Sequence, residues 1–137
     1  MKFLSLVLLT LTLTSASAAD LVMPVRGVYD GDTIYSDLCA LPYPLNKVSV
    51  RVRGIDTPEI RGDCDNEKSL AYKAKDELIK ILSSSDKVMV KNIVWDKYGG
   101  RVDGDIFLLD GTDVAKKMIE SNLAREYTGG LRGTWCE

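Results

Sequence analysis

The chain has 137 residues, 45% hydrophobic and 28% charged, with 18 basic against 20 acidic side chains and a net charge of −2. That balance excludes binding to nucleic acid through bulk positive charge, so any phosphate recognition must come from local arginines or from a bound metal ion. Histidine is absent, which removes histidine general bases, histidine-containing triads and histidine-ligated zinc.

Lys2 is followed by the apolar run FLSLVLLTLTLT (residues 3–14) and then by SASAA. A charged start, an apolar middle and small residues at the end are the order of a secretory signal. The run is shorter than the ~20 apolar residues of a membrane-spanning helix. Cleavage is expected near Ala18 or Ala19, giving a leader over residues 1–19 and one domain over residues 20–137, exported to a periplasm or secreted.

The domain opens with strand signals. VRGVY (25–29) and TIYS (33–36) flank Asp30-Gly31-Asp32, and Asp-Gly between β-rich runs is a hairpin signal. DLCALPYPLN reads as a loop. VSVRVRGI then alternates, with Val48, Val50 and Val52 on one face and Ser49, Arg51 and Arg53 on the other. Gly54 interrupts the alternation, and a bulge there would turn Asp56 onto the arginine face. Residues 66–83 carry Leu70, Ala74, Leu78 and Ile81 or Leu82 at helical spacing. DKVMVKNIV (86–94) returns to strand, and residues 95–111 read as turn, strand, turn. DVAKKMIESN (113–122) is a short helix, capped by Thr112 or Asp113 and leaving through Asn122. The last segment, LAREYTGGLRGTWCE, reads as irregular. Three strands, a helix, two strands and a short helix around one small core predict an α+β, mainly β fold. The expected form is a five-stranded OB-type Greek-key barrel, with a helix between strands three and four and a short helix after strand five, because closure removes sheet edges.

Cys39, Cys64 and Cys136 allow one bridge in any of three pairings. Export favours a bridge, and Cys64–Cys136 is the pairing expected, since it fastens the chain's end to the loop after residues 51–60. Closing so long a loop contributes about 4 kcal/mol in the chain-entropy model.

Three short motifs carry polar chemistry. DGDT (30–33) alone is a hairpin turn, and a second DGD at 103–105 shows how common the pattern is. In IDTPE (55–59), Pro58 holds Thr57 extended and turns its carbonyl outward. A carboxylate beside an exposed carbonyl is good oxygen ligation for a hard cation such as Ca²⁺. DKYGGR (96–101) offers Arg101 on a glycine-flanked turn, and arginine is the bidentate partner for phosphate.

In this order, V-x-DGDT, R-x-R-G-IDTPE, a helix rich in alanine and lysine, DKYG-x-R, DG-x-D-V and LA-x-x-Y resemble the staphylococcal nuclease-like (thermonuclease) family, from about Val25 to Tyr127. The resemblance implies that Asp32 and Asp56 are Ca²⁺-binding carboxylates, with the Thr57 carbonyl as a further ligand. It implies that Glu59 activates the attacking water, that Arg51 and Arg101 are catalytic arginines, and that Asp30 supports the site. Lys97, Tyr98 and Tyr127 would bind the nucleotide, and Arg53 has no catalytic role. The implied activity is calcium-dependent hydrolysis of DNA and RNA phosphodiesters with little sequence preference. Single strands are favoured, products end in 3′-phosphate, and the enzyme is a monomer. The alternative is a non-catalytic OB module that binds oligonucleotides or protein. Two departures stand out. DKYGGR has one extra glycine, which bears on Arg101. The chain also ends soon after Tyr127, where a third helix would stand, leaving a tail with Cys136 in its place.

Overall fold

Alternating apolar and polar residues build the sheet, because a strand sends successive side chains to opposite faces. The computed structural model describes residues 20–137, and the leader expected over residues 1–19 lies outside the described residues. The elements in chain order are β1 (Leu21–Pro24), β2 (Gly27–Val28), β3 (Thr33–Asp37), β4 (Lys47–Val52), β5 (Ile55–Asp56), α1 (Asp65–Leu82), β6 (Lys87–Trp95), β7 (Arg101–Phe107), α2 (Val114–Glu120) and β8 (Arg125–Glu126). Among the described residues no helix is long and apolar enough to cross a membrane.

Six strands form one sheet in the order β1-β6-β7-β4-β3-β2, while β5 pairs with β8 apart from it. β1 and β2 stand at opposite ends of that order, yet only Val25 and Arg26 separate them in the chain. The Val25 N–H donates to Asp86 O at 2.8 Å and the Arg26 N–H to Tyr35 O at 2.8 Å, one toward each end. One bent run, residues 21–28, therefore borders both ends and curls the sheet on itself. With that run taken as a single strand, its neighbours are β3 and β6. β4 and β7 are parallel, and the remaining pairs are antiparallel. This is the OB-type arrangement expected from the sequence, with α1 after the third main strand and α2 after the fifth.

Burial follows the alternation. Val48, Val50 and Val52 lie in one core with Ile34, Val88, Val90, Val102 and Ile106, closed by Ala74, Leu78 and Leu82 of α1 and by Val114 and Met118 of α2. Cys64 caps α1, its Sγ accepting from the Glu67 N–H at 3.4 Å. Asp113 caps α2 by accepting from Lys116 N–H at 3.1 Å, and Asn122 leaves it with φ +59°.

Gly54 differs from the bulge expected there. Arg53 and Gly54 form a turn, Gly54 with φ +86°, a conformation that favours glycine. The chain then enters β5, which leaves the main sheet because β8 offers it a partner, with Asp56 opposite Arg125. The register shift lies in β6 instead, between Lys91 and Val94, around Asn92 with φ +51°. The last residues are not a free end: Cys64 and Cys136 are joined, with Cα atoms 5.8 Å apart, which draws the tail back to the start of α1. Cys39 is free and exposed.

The turn from β2 to β3 rests directly on α1. A Cβ on Gly31 would lie 2.6 Å from Ala74 Cβ and 3.1 Å from Thr57 Cβ. Glycine is needed there for space, and the contact sets Asp30 and Asp32 against Thr57. Gly31→Ala is expected to destabilise the protein by about 1–3 kcal/mol in urea unfolding. Ala74→Gly alone costs about 1 kcal/mol of helix propensity. The double variant should lose less than the sum of the two, and strict additivity would show that this approach does not select glycine.

Candidate functional site

β5, the segment after it and the first turn of α1 supply the acidic half of the site. Asp56 is 4% exposed, and its Oδ2 accepts the Trp135 indole N–H at 3.1 Å. Its Oδ1 is buried and accepts no hydrogen bond. Arg132 Nε stands 3.3 Å from that oxygen, within ion-pair distance but without hydrogen-bond geometry. Arg132 also pairs with Glu59 through Nη1. These groups, with Thr57 and Glu67, line a cavity of about 340 Å³. Burial alone would lower the Arg132 pKa, but the carboxylates of Asp56 and Glu59 raise it above the usual guanidinium value.

Glu67 holds the loop that carries Glu59. Its Oε1 accepts the Glu59 N–H at 3.2 Å and its Oε2 the Asp63 N–H at 3.1 Å. The first turn of α1 thus supplies a buried acceptor to a segment with no ladder of its own.

Asp32 enters from the β2–β3 turn. Its Oδ1 accepts the Thr33 hydroxyl at 2.8 Å, and its Oδ2 lies 3.2 Å from Arg51 Nη2. The same Arg51 nitrogen donates to Ile55 O at 3.0 Å, so one guanidinium joins the turn, β4 and β5. Asp30 supports Asp32 by accepting its backbone N–H at 3.1 Å. Burial, then the neighbouring Asp32 carboxylate, push the Asp30 carboxyl up to about 7.

The basic half lies beside it. Arg51, Lys97, Tyr98, Arg101, Tyr127 and Arg132 line a second cavity of about 380 Å³. Arg132 therefore borders both halves. Arg101 begins β7, and the extra glycine is absorbed in the turn before it, where Gly100 has φ +77°. Arg101 Nε donates to Asp96 Oδ2 at 2.5 Å, and its guanidinium lies 5.0 Å from the Tyr98 ring centre. Burial raises the Asp96 carboxyl, but Arg101 and nearby backbone N–H groups outweigh it and hold the carboxyl below the usual range. Lys97 Nζ is 5.1 Å from the same ring centre, and the Tyr127 ring faces Arg132 at 5.7 Å. Arg53 points elsewhere, in a two-armed pair with Asp105 at 3.0 and 2.8 Å.

The structure thus brings Arg51, Asp56, Thr57, Glu59, Lys97, Tyr98, Arg101 and Tyr127 to two adjoining cavities, with Asp32 behind Arg51. It does not gather Asp32, Asp56 and Glu59 into one tight cluster. Among the described residues the only such trio is Cys64, Glu67 and Cys136, whose sulfurs are bridged.

Sequence reasoning missed Glu67, Asp103, Arg132 and Trp135. Cys-Asp-Asn-Glu at 64–67 has the spacing of a capping box and signalled Glu67. The expected bridge signalled that residues just before Cys136 lie near residues 56–64. Asp103, opposite Arg51 in the β4–β7 register, had no local signal. Its Oδ1 is buried without a partner, and burial, then Asp96, raise its carboxyl.

The profile of the family described as staphylococcal nuclease homologue matches residues 49–132. No curated protein matches the chain. The matched region takes in Arg51, Asp56, Glu59, Arg101, Tyr127 and Arg132, while Asp32, Trp135 and Cys136 fall outside it.

Glu67→Gln keeps the side-chain shape but leaves only one acceptor for two backbone N–H groups. A loss of about 1–3 kcal/mol in unfolding free energy is expected. Hydrogen exchange followed by NMR should show faster exchange at the Glu59 or Asp63 amide, and unchanged exchange at both would remove Glu67 as the loop's anchor.

Proposed function

The chain belongs to the staphylococcal nuclease homologue family, and on that premise we propose that it is an exported, calcium-dependent nuclease. It acts as a monomer and hydrolyses DNA and RNA phosphodiesters with little sequence preference, leaving 3′-phosphate ends. The observation that carries the reading is the pair of adjoining cavities, one acidic and one lined by arginines and tyrosines, with Arg132 common to both. A phosphodiester under attack gathers negative charge, and preorganised cations are what such a transition state needs.

The residues present fit a hard cation. Asp56 offers a buried oxygen that accepts no hydrogen bond. Asp32, tied to the β5 strand through Arg51, and the Thr57 carbonyl add oxygen donors of the kind Ca²⁺ prefers. When bound, the ion supplies Lewis-acid polarisation of a phosphoryl oxygen. The protein's own groups do the rest. Arg51 and Arg101 donate to phosphate oxygens; Asp96 engages Nε and Nη2 of Arg101, which leaves Nη1 for substrate. Glu59, half-exposed at the cavity mouth, takes the proton from the attacking water, a task a carboxylate performs where no histidine exists. Tyr98 and Tyr127 present rings for base stacking, which favours single-stranded substrate.

Denatured DNA with calcium is the substrate that tests this. Cleavage should vanish with chelator. It should fall about 10²–10³-fold in Arg51→Ala, by analogy with loss of one oxyanion donor, and about 10²–10⁴-fold in Glu59→Gln. Oligonucleotide binding without any cleavage by the wild type would replace the nuclease with a binding module.

A further inference from the structure

We propose that Trp135 is a positioning residue for the Asp56 carboxylate and that the Cys64–Cys136 bridge delivers it; the inference rests on the calcium reading above. A carboxylate torsion is broad and roughly two-fold, so an unrestrained Asp56 presents either oxygen. The Trp135 indole N–H occupies Oδ2 at 3.1 Å and leaves Oδ1 buried and without a hydrogen bond, with only the ion-pair contact to Arg132 Nε at 3.3 Å. Indole is a donor only and does not titrate, so it neither competes for a cation nor changes with pH. The arrangement is that of an outer group orienting a ligand carboxylate.

Trp135 is itself held from several sides. It is 8% exposed in an otherwise exposed tail. The Arg125 guanidinium lies 3.7 Å from its ring centre and donates to Thr134 O at 2.8 Å. Arg125 also stands opposite Asp56 in the β5–β8 pair, so the strand that aligns Asp56 also clamps the indole. Asn66 Nδ2 donates to Trp135 O at 3.0 Å, and the bridge follows one residue later. Tail and carboxylate form one unit, and its last members, Trp135 and Cys136, lie beyond the region that matches the family profile.

A purely structural role would make Trp135 an apolar plug, and Trp135→Phe keeps the plug while removing the donor. Calcium affinity measured by isothermal titration calorimetry is expected to fall about 10–100-fold in this variant, while the unfolding midpoint in chelator drops by only a few degrees, as loss of one buried hydrogen bond entails. In the wild type, calcium should slow hydrogen exchange of the Trp135 indole N–H in NMR spectra. A folded Trp135→Phe protein that binds calcium as tightly as the wild type overturns the proposal. Should that variant not fold, wild-type protein with its bridge reduced by dithiothreitol serves, and unchanged calcium affinity after reduction overturns the proposal equally. A wild type that binds no calcium overturns the underlying reading and the inference together, whereas a wild type that binds calcium with an indifferent Trp135→Phe variant overturns the inference alone.

Discussion

Arg51 is a buried cation, and the site is organised around answering its charge. It is 9% exposed, and one nitrogen reaches both Asp32 Oδ2 and Ile55 O. A buried guanidinium without partners is strongly unfavourable, so the β2–β3 turn and β5 are held where they can pair with it. That requirement sets Asp32 behind Arg51 and fixes β5, the strand that carries Asp56, beside the same guanidinium. Arg51 offsets the charge of the Asp32 carboxylate, as Arg132 offsets that of Asp56. Asp30 lacks that compensation: with Asp32 next to it and no cation bonded to it, its carboxyl is the one driven furthest toward neutrality.

The balance extends over the whole site. Arg101 is paired with Asp96, Arg132 with Asp56 and Glu59, and Arg51 with Asp32. An incoming phosphate therefore meets guanidiniums that already have acidic partners, and an incoming cation meets acids that already have basic ones. Either ligand alone would leave the displaced partner without a counter-charge. Together, a metal ion takes the acids, a phosphate takes the arginines, and no charge is stranded. On the nuclease reading this makes metal and substrate binding mutually reinforcing, and it explains how a chain of net charge −2 accommodates a polyanion.

Much of this is legible in the sequence because its signals are local. Val48, Val50 and Val52 announce a strand with one buried face, and Arg51 between them is placed on the other face by the same period of two. Asp-Gly-Asp announces the turn, though not that Gly31 must touch Ala74, since that contact joins residues far apart in sequence. Gly54 reads as an interruption within one strand, because nothing nearby in the sequence shows that Arg125 and Glu126 form a strand to receive Ile55 and Asp56. The tail escaped for a related reason. LRGTWCE has no periodicity, and its place depends on a bond between residues 72 apart in the chain.

That dependence has a physical basis in the tail itself. Leu131 is fully exposed, and Trp135 is the only residue after Tyr127 that is buried. Ordering residues 128–135 costs about 1–2 kcal/mol each in backbone entropy, or about 8–16 kcal/mol in all. Burial of one tryptophan, at roughly 200 Å² and 25 cal/mol per Å², returns about 5 kcal/mol, and each hydrogen bond from Asn66, Arg125 and Trp135 adds about 1 kcal/mol. The sum falls short by an amount comparable to the ~4 kcal/mol expected of a bridge closing a loop of this length. A helix in this position would be stabilised by an apolar face. This tail has none, so a covalent bond has to take that role, and the geometry at Asp56 is tied to whether the compartment lets that bond form.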